Sequence, residues 1–256
     1  MDAVITIPAL GDNVIYVVRY DAKDSFVVDP GEASAVLGIL KKHGLALTTI
    51  LLTHHHGDHV GGASELKRKT GCEIIAGYKG HSRDVNKVVE DGRILSMGEA
   101  KIKVLATPGH TRSSVCYYMQ PCDTISKGML WTGDTLFVGG CGRLFECDPQ
   151  TMWDSLLKLA LLPDDTLVYC GHDYTVDNYE FALSIEPDNQ AVRQRLDDVR
   201  QVQRRGRQTV PSSILQEKAT NPFLRADSPE LKSALGMRNA PAVEVFAELR
   251  RRKDRF

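Results

Sequence analysis

Four histidines and an aspartate fall within six consecutive residues: His54, His55, His56, Gly57, Asp58 and His59. A solvated polar loop can carry an occasional histidine pair, but imidazole and carboxylate at this density point to a metal, for which both are ligands. Residues 48–53, TTILLT, are β-branched or apolar and predict a buried strand leading into the cluster. In an extended chain side chains at i and i+2 share a face, so His54 and His56 point together and His55 points away. After Gly57 the run DHVGGASELKRKT turns helical, which sets Asp58 and His59 in an opening turn where an aspartate is favoured. A strand running straight into a helix therefore brings four candidate ligands, His54, His56, Asp58 and His59, into one small volume.

The other histidines are His43, His81, His110 and His172. His110 follows a strand-like run broken by Pro108 and Gly109, and His172 follows the apolar run TLVYC and Gly171. Asp134 repeats the pattern after GMLWTG. Ligands carried on turns at strand ends are a common way for a rigid sheet to gather chemistry at one point. His43 reads as the last turn of a helix, where a cation suits the dipole, and His81, with no strand before it, is left outside the set. Seven nitrogen and carboxylate ligands are too many for one tetrahedral zinc. They suit two metals roughly 3.5–4 Å apart sharing one carboxylate.

The segments THHHGDH, PGHT, GDTLF and CGHDY, in that order, resemble the metallo-β-lactamase superfamily. Within it the chain is similar to the glyoxalase II, or hydroxyacylglutathione hydrolase, family, a narrower likeness carried by GCGR, NPF and the terminal RRRKDRF. The resemblance implies that His54, His56 and His110 hold one metal, that Asp58, His59 and His172 hold a second, and that Asp134 bridges them. Asp58 and Asp134 are then the catalytic carboxylates, with Asp58 also orienting water. Two divalent ions per chain are implied, zinc first, with iron and manganese also compatible with these donors. The implied reaction is hydrolysis of S-(2-hydroxyacyl)glutathione thioesters, such as S-D-lactoylglutathione, to glutathione and a 2-hydroxy acid, D-lactate in that case. Hydroxide formed at neutral pH by the metal pair is the nucleophile. A departing thiolate, with a pKa near 8.5 for an ordinary thiol, needs no strong general acid.

The same resemblance places Arg143, Phe145, His172, Tyr174, Arg250 and Lys253 against the glutathione part of the substrate. Two of these depart from the family pattern: Arg143 stands where a lysine is typical, and Phe145 where a tyrosine is typical. The arginine keeps the charge in another shape, and the phenylalanine removes a hydroxyl donor, so weaker glutathione binding with intact chemistry is expected. Asp29, in VVDPG, is either a partner of a metal histidine or a turn aspartate before Pro30. Three rival readings remain: a glutathione persulfide dioxygenase with a single iron, another superfamily metallohydrolase such as a β-lactamase or nuclease, and a structural metal module.

With 42% apolar residues, 256 residues suffice for a large packed core. A net charge of −1 gives no global field for nucleic acid or an anionic membrane. The first residues lack a basic and apolar leader, and no apolar run reaches membrane-spanning length, so a cytoplasmic monomer is expected. The six cysteines include no C-x-x-C pair and suit a reduced compartment. Short strands with a few interleaved helices predict an α+β, αββα sandwich over residues 1–173, the metal-binding catalytic domain. From Tyr174 the runs 174–187, 189–206 and 240–253 read as helices, so residues 174–256 form a helical, substrate-binding domain. That region is mildly basic, but its charges are interleaved with acids, which suits a solvated face better than a nucleic-acid patch.

Overall fold

β-branched and aromatic residues dominate the first three apolar runs, and turn residues separate them. They form β1 (Val4–Ala9), β2 (Asn13–Arg19) and β3 (Asp24–Val28), an antiparallel meander with Val4 opposite Val18 and Tyr16 opposite Val28. The computed structural model describes residues 3–122 and 125–256, the side chain of His81 excepted, so the placing of that histidine outside the ligand set lies beyond the described residues.

A helical crossover then keeps the strand direction instead of reversing it. Helix α1 (Ala33–His43) returns the chain to β4 (Ala46–Leu52), which pairs parallel to β3. Gly44 ends α1 at φ 64, a left-handed conformation that glycine adopts without penalty, and Lys41, Lys42 and His43 occupy the last turn. The short α2 (Gly57–Val60) and then α3 (Ala63–Thr70) lead to β5 (Glu73–Ala76), parallel to β4, and β6 (Lys87–Val88) extends the sheet by another parallel pairing.

This mixed sheet is apolar on both faces, as a sheet covered on both sides must be. Ile15, Val17, Val27, Ile50 and Leu52 pack with Val36, Leu40, Ala63 and Leu66, so α1 and α3 cover one face. The alternate residues, Tyr16, Phe26, Leu51 and Ile75, are also buried. They meet an antiparallel layer made of β7 (Ile94–Met97), β8 (Ala100–Ala106), β9 (Val115–Met119) and β10 (Met129–Gly133). The Trp131 ring meets Phe26 edge-on at 5.4 Å, and the Tyr117 hydroxyl donates to the Leu52 carbonyl at 2.9 Å. Helices, mixed sheet and antiparallel sheet thus stack as three layers within one compact unit, Met1–Ala106 with Ser113–Gly133.

The second compact unit comprises Thr107–Arg112 and Asp134–Phe256. It opens with the hairpin β11 (Leu136–Phe137) and β12 (Gly140–Cys141). Helix α4 (Pro149–Ala160) follows, started as expected by the Asp148 carboxylate, which accepts the Thr151 N–H at 2.8 Å. Next come β13 (Leu167–Cys170), α5 (Thr175–Ile185), α6 (Gln190–Arg204), β14 (Ser212–Ser213), α7 (Ile214–Thr220), α8 (Pro229–Ala234) and α9 (Ala242–Lys253). Phe181, Phe223, Phe246 and Trp153 form its aromatic core, with successive ring centroids about 6 Å apart. Compactness therefore divides the chain at other points than the change of composition at residue 174. The six cysteines are free thiols, and burial raises the pKa of Cys170, as suits a core residue.

Candidate metal centre

In the first unit one buried carboxylate organises the ligand loop. Asp29 lies just past β3, beside the parallel strand β4, and holds the left-handed φ of 48. Its Oδ1 accepts the Thr53 N–H at 2.8 Å, and its Oδ2 accepts the Thr53 hydroxyl at 2.6 Å. Since the Thr53 proton is committed to Asp29, the Thr53 oxygen is left to accept from His54 Nδ1, 3.0 Å away. The same Asp29 Oδ2 lies 3.0 Å from His59 Nδ1. Both imidazoles thus carry their proton on Nδ1 and turn the Nε2 lone pair towards the loop, the tautomer a metal ligand needs. Asp29 is the partner of metal-competent histidines, and the other reading, a plain turn aspartate, falls away.

The lone pairs face other ligand atoms. His54 Nε2 is 3.0 Å from His56 Nδ1, and His59 Nε2 is 3.3 Å from Asp58 Oδ2. A lone-pair nitrogen beside a carboxylate oxygen is repulsive unless a cation or proton lies between them. Asn13 donates to that Asp58 oxygen at 2.8 Å and fixes its rotamer. Close approach shapes the loop: a Cβ on Gly133 would lie 2.2 Å from Thr53 Oγ1.

The second unit carries His110, Asp134 and His172, all buried. Asp134 follows the end of β10, His172 follows β13 and Gly171, and His110 sits in the turn after Pro108 and Gly109. His110 Nδ1 is 2.8 Å from the Arg143 carbonyl, which can only accept, so this ring also presents Nε2 as its lone pair. Asp134 Oδ2 lies 3.4 Å from His110 Nε2 and 3.4 Å from His172 Nε2. One carboxylate oxygen facing two imidazoles is the arrangement of a shared ligand. Gly142 makes it possible, because a Cβ there would lie 1.9 Å from the Asp134 carbonyl and 3.0 Å from His110 Nδ1. The donor chemistry of both halves, neutral imidazoles set against carboxylates, suits borderline divalent ions.

Beside this half lies a cavity of about 480 Å³ whose lining includes His110 and Asp134. Arg143, Phe145, Tyr174, Arg250 and Lys253 all border it. The Tyr174 ring stacks on His172 at 4.9 Å, and Phe145 meets His110 at 5.1 Å. Arg250 is buried, donating to the Cys141 carbonyl at 2.8 Å and pairing with Asp254 at 3.0 Å. The Cys141 thiol beside it is pushed up to about 11, mainly by burial, and is no nucleophile at neutral pH. Arg143 is exposed and lies 3.7 Å from Asp254.

Several supporting residues carry no sequence signal. Glu217, fully buried, accepts from the Gly139 N–H at 2.8 Å, from Asn221 Nδ2 at 2.9 Å and from the Ser212 hydroxyl. Asn221 also donates to the Gly140 carbonyl at 2.9 Å, and Asn178 to the Val138 carbonyl at 3.0 Å. Together with Arg250 they clamp the β11–β12 loop that leads into Gly142 and Arg143. A Glu and an Asn four residues apart look like a solvated helix face until tertiary structure buries them.

Residues 9–172 match the metallo-beta-lactamase superfamily, and residues 173–256 match the hydroxyacylglutathione hydrolase C-terminus. The hydroxyacylglutathione hydrolase of Methylococcus capsulatus is 44% identical over 256 residues, covering 99% of this chain and 98% of that one. The Rhodospirillum rubrum protein of the same name is 46% identical over 254 residues, covering 98% and 97%. Among solved structures, ETHE1 from Myxococcus xanthus superposes with a TM-score of 0.66 at 26% identity, covering 95% of this chain and 94% of its own.

Proposed function

The chain belongs to the hydroxyacylglutathione hydrolase family of the metallo-β-lactamase superfamily, and from that premise we propose that seven of its residues act as one dinuclear centre for thioester hydrolysis. The protein is a metallohydrolase with the αββα fold of that superfamily and acts on glutathione thioesters. S-D-lactoylglutathione is the substrate we assign to it, glutathione and D-lactate its products. His54, His56 and His110 hold one ion, Asp58, His59 and His172 the other, and Asp134 serves both. Two divalent ions, when bound, lower the pKa of water towards about 7 and polarise the thioester carbonyl. Zinc is assigned first, with iron and manganese suiting the same donors.

The observation that carries this reading is the hydrogen bonding of three imidazoles. Thr53, Asp29 and the Arg143 carbonyl engage Nδ1 of His54, His59 and His110, which turns Nε2 of each ring towards the cation it would hold. Asn13 donates to Asp58, and Asp58 is the residue we assign to orient the attacking water. Arg143, Arg250 and Lys253 supply the positive charge that an anionic glutathione moiety needs, and Phe145 and Tyr174 supply apolar walls. The two family matches support a division of labour in which residues 1–173 carry the ligands and residues 174–256 add Tyr174, Arg250 and Lys253 to the glutathione contacts. No helix among the described residues is long and apolar enough to cross a membrane, and a cytoplasmic monomer is the state we assign.

One experiment tests the whole reading. Metal content and hydrolysis of S-D-lactoylglutathione are measured on one sample, beside a simple acyl-thiol that lacks glutathione. Two ions per chain, activity lost to chelation and regained on adding metal, and strong preference for the glutathione thioester are expected. A single tightly held iron with oxygen uptake would instead favour the dioxygenase reading.

A further inference from the structure

Lys253 is the last residue of α9, and Asp177 sits in the first turn of α5. Each helix end favours the charge it carries, a cation at a C-terminus and an anion at an N-terminus. The Lys253 ammonium donates to the Asp177 carbonyl at 3.2 Å and is bonded to the Asp177 carboxylate. Its nitrogen lies 5.5 Å from the Phe181 ring centroid and 5.1 Å from that of Phe256, so the cation rests against two aromatic rings. Both Lys253 and Asp177 line the cavity that also exposes His110 and Asp134.

We infer that Asp177 is a positioning residue for the reaction: it aims the Lys253 ammonium and keeps it charged, and thereby sets the pH range over which the cavity accepts an anionic thioester. This rests on the reading of that cavity as the glutathione site. An ammonium has three N–H groups. Two are spent on Asp177, which leaves the third for a ligand carboxylate.

The charged groups around Lys253 decide the sign. Burial lowers its pKa and is the largest influence; the hydrogen bond and charge of Asp177 oppose it, Arg250 adds to the lowering, and Glu180 opposes it weakly. Asp254, on the same helix end, is engaged by Arg250 and Arg143. Without Asp177 only the weaker influence of Glu180 opposes the desolvation, so the lysine loses its proton at lower pH. Affinity for an anionic ligand, present while Lys253 is charged, is then lost earlier as pH rises.

The test uses the full-length, metal-loaded protein and S-methylglutathione, a non-hydrolysable thioether that keeps the glutathione carboxylates. Its Kd is measured from pH 6.5 to 10 for wild type, Asp177→Asn, Lys253→Met and the double variant Asp177→Asn with Lys253→Arg. Comparison with wild type cancels the ligand's own titration. In Asp177→Asn the rise of Kd should begin at lower pH than in wild type, so that the variant binds more weakly than wild type at the alkaline end of the range. With S-D-lactoylglutathione the change should fall more on KM than on kcat. A guanidinium stays charged throughout this range, so the double variant should abolish the early rise of Kd and give a profile at least as flat as that of wild type. An Asp177→Asn profile that tracks wild type at every pH, or binding tighter than wild type throughout, would overturn the inference. If Lys253→Met binds S-methylglutathione at pH 7 as well as wild type does, the placement of the ligand has failed instead. Should Asp177→Asn fold poorly, Asp177→Ser serves in its place with the same expected profile.

Discussion

The first unit packs its candidate ligands into six residues after one strand, whereas the second gathers three candidates from three separate turns. The contrast extends to what holds them. In the first unit one carboxylate, Asp29, reaches His59 directly and His54 through Thr53. In the second a backbone carbonyl orients His110, and the loop that carries it is clamped by side chains of α5, α7 and α9. A contiguous motif can be organised by a single neighbour, but a dispersed one depends on the packing of distant helices. Damage should therefore be sharp and local in the first unit, graded and distributed in the second.

The largest expected effect lies outside that contrast in support, at the carboxylate of the second unit that faces two imidazoles itself. Asp134→Asn keeps the shape but turns one acceptor into a donor, opposite two imidazoles. Elemental analysis should find at least one ion lost per chain, and hydrolysis should fall by more than about a hundredfold. Full metal retention would break the assignment of Asp134 as a shared ligand.

Asp29→Ala probes the first unit by the same logic, one step removed. Metal affinity should drop by about 10- to 100-fold, because His54 and His59 lose the partners that set their tautomers. Stability should also drop, by about 1–3 kcal/mol for the stranded Thr53 N–H, read from urea unfolding of the metal-free protein. Thr53→Val should disturb the His54 side alone and show a smaller loss of affinity. Equal losses in the two variants would mean that Asp29 does not serve both rings.

Glu217 sharpens the distributed half. Burial raises its pKa above the ordinary carboxylate value, against the hydrogen bonds from Ser212, Gly139 and Asn221. Above the unfolded pKa of about 4.3 the folded state holds this proton more tightly than the unfolded state, so the group contributes a stability that fades as pH rises. Glu217→Gln removes that dependence. Between pH 4 and pH 7 metal-free wild type should lose stability relative to Glu217→Gln, a difference urea titrations resolve. The variant should also raise KM more than it lowers kcat, because the loop it loosens carries Arg143 rather than a metal ligand.

The same contrast explains what could be read from residues alone. The strand, the cluster and the helix start are contiguous, so periodicity and ligand chemistry expose four candidate ligands at once. His110, Asp134 and His172 were visible because each follows a strand-like run and a glycine. Asn13, Asn221 and Glu217 left no trace, since their partners lie 45, 81 and 78 residues away and only tertiary packing brings them together. β6, β11 and β12, two residues each, are too short to show a period, and β7 (Ile94–Met97) has only alternate residues buried. Asp29 was ambiguous because an aspartate before proline is equally at home in a turn.

The smallest effect belongs to Phe145, the departure from the family pattern on the second unit's loop. A hydroxyl restored by Phe145→Tyr should lower KM for S-D-lactoylglutathione, and a hydrogen bond contributes about 0.5–1.5 kcal/mol. Phe145 is 61% exposed, so water competes for that hydroxyl and the gain should sit at the lower end, about twofold. The ring's contact with His110 is kept, so kcat should not move. A KM that stays level would mean the aromatic face, rather than a missing donor, is what this position contributes to the site.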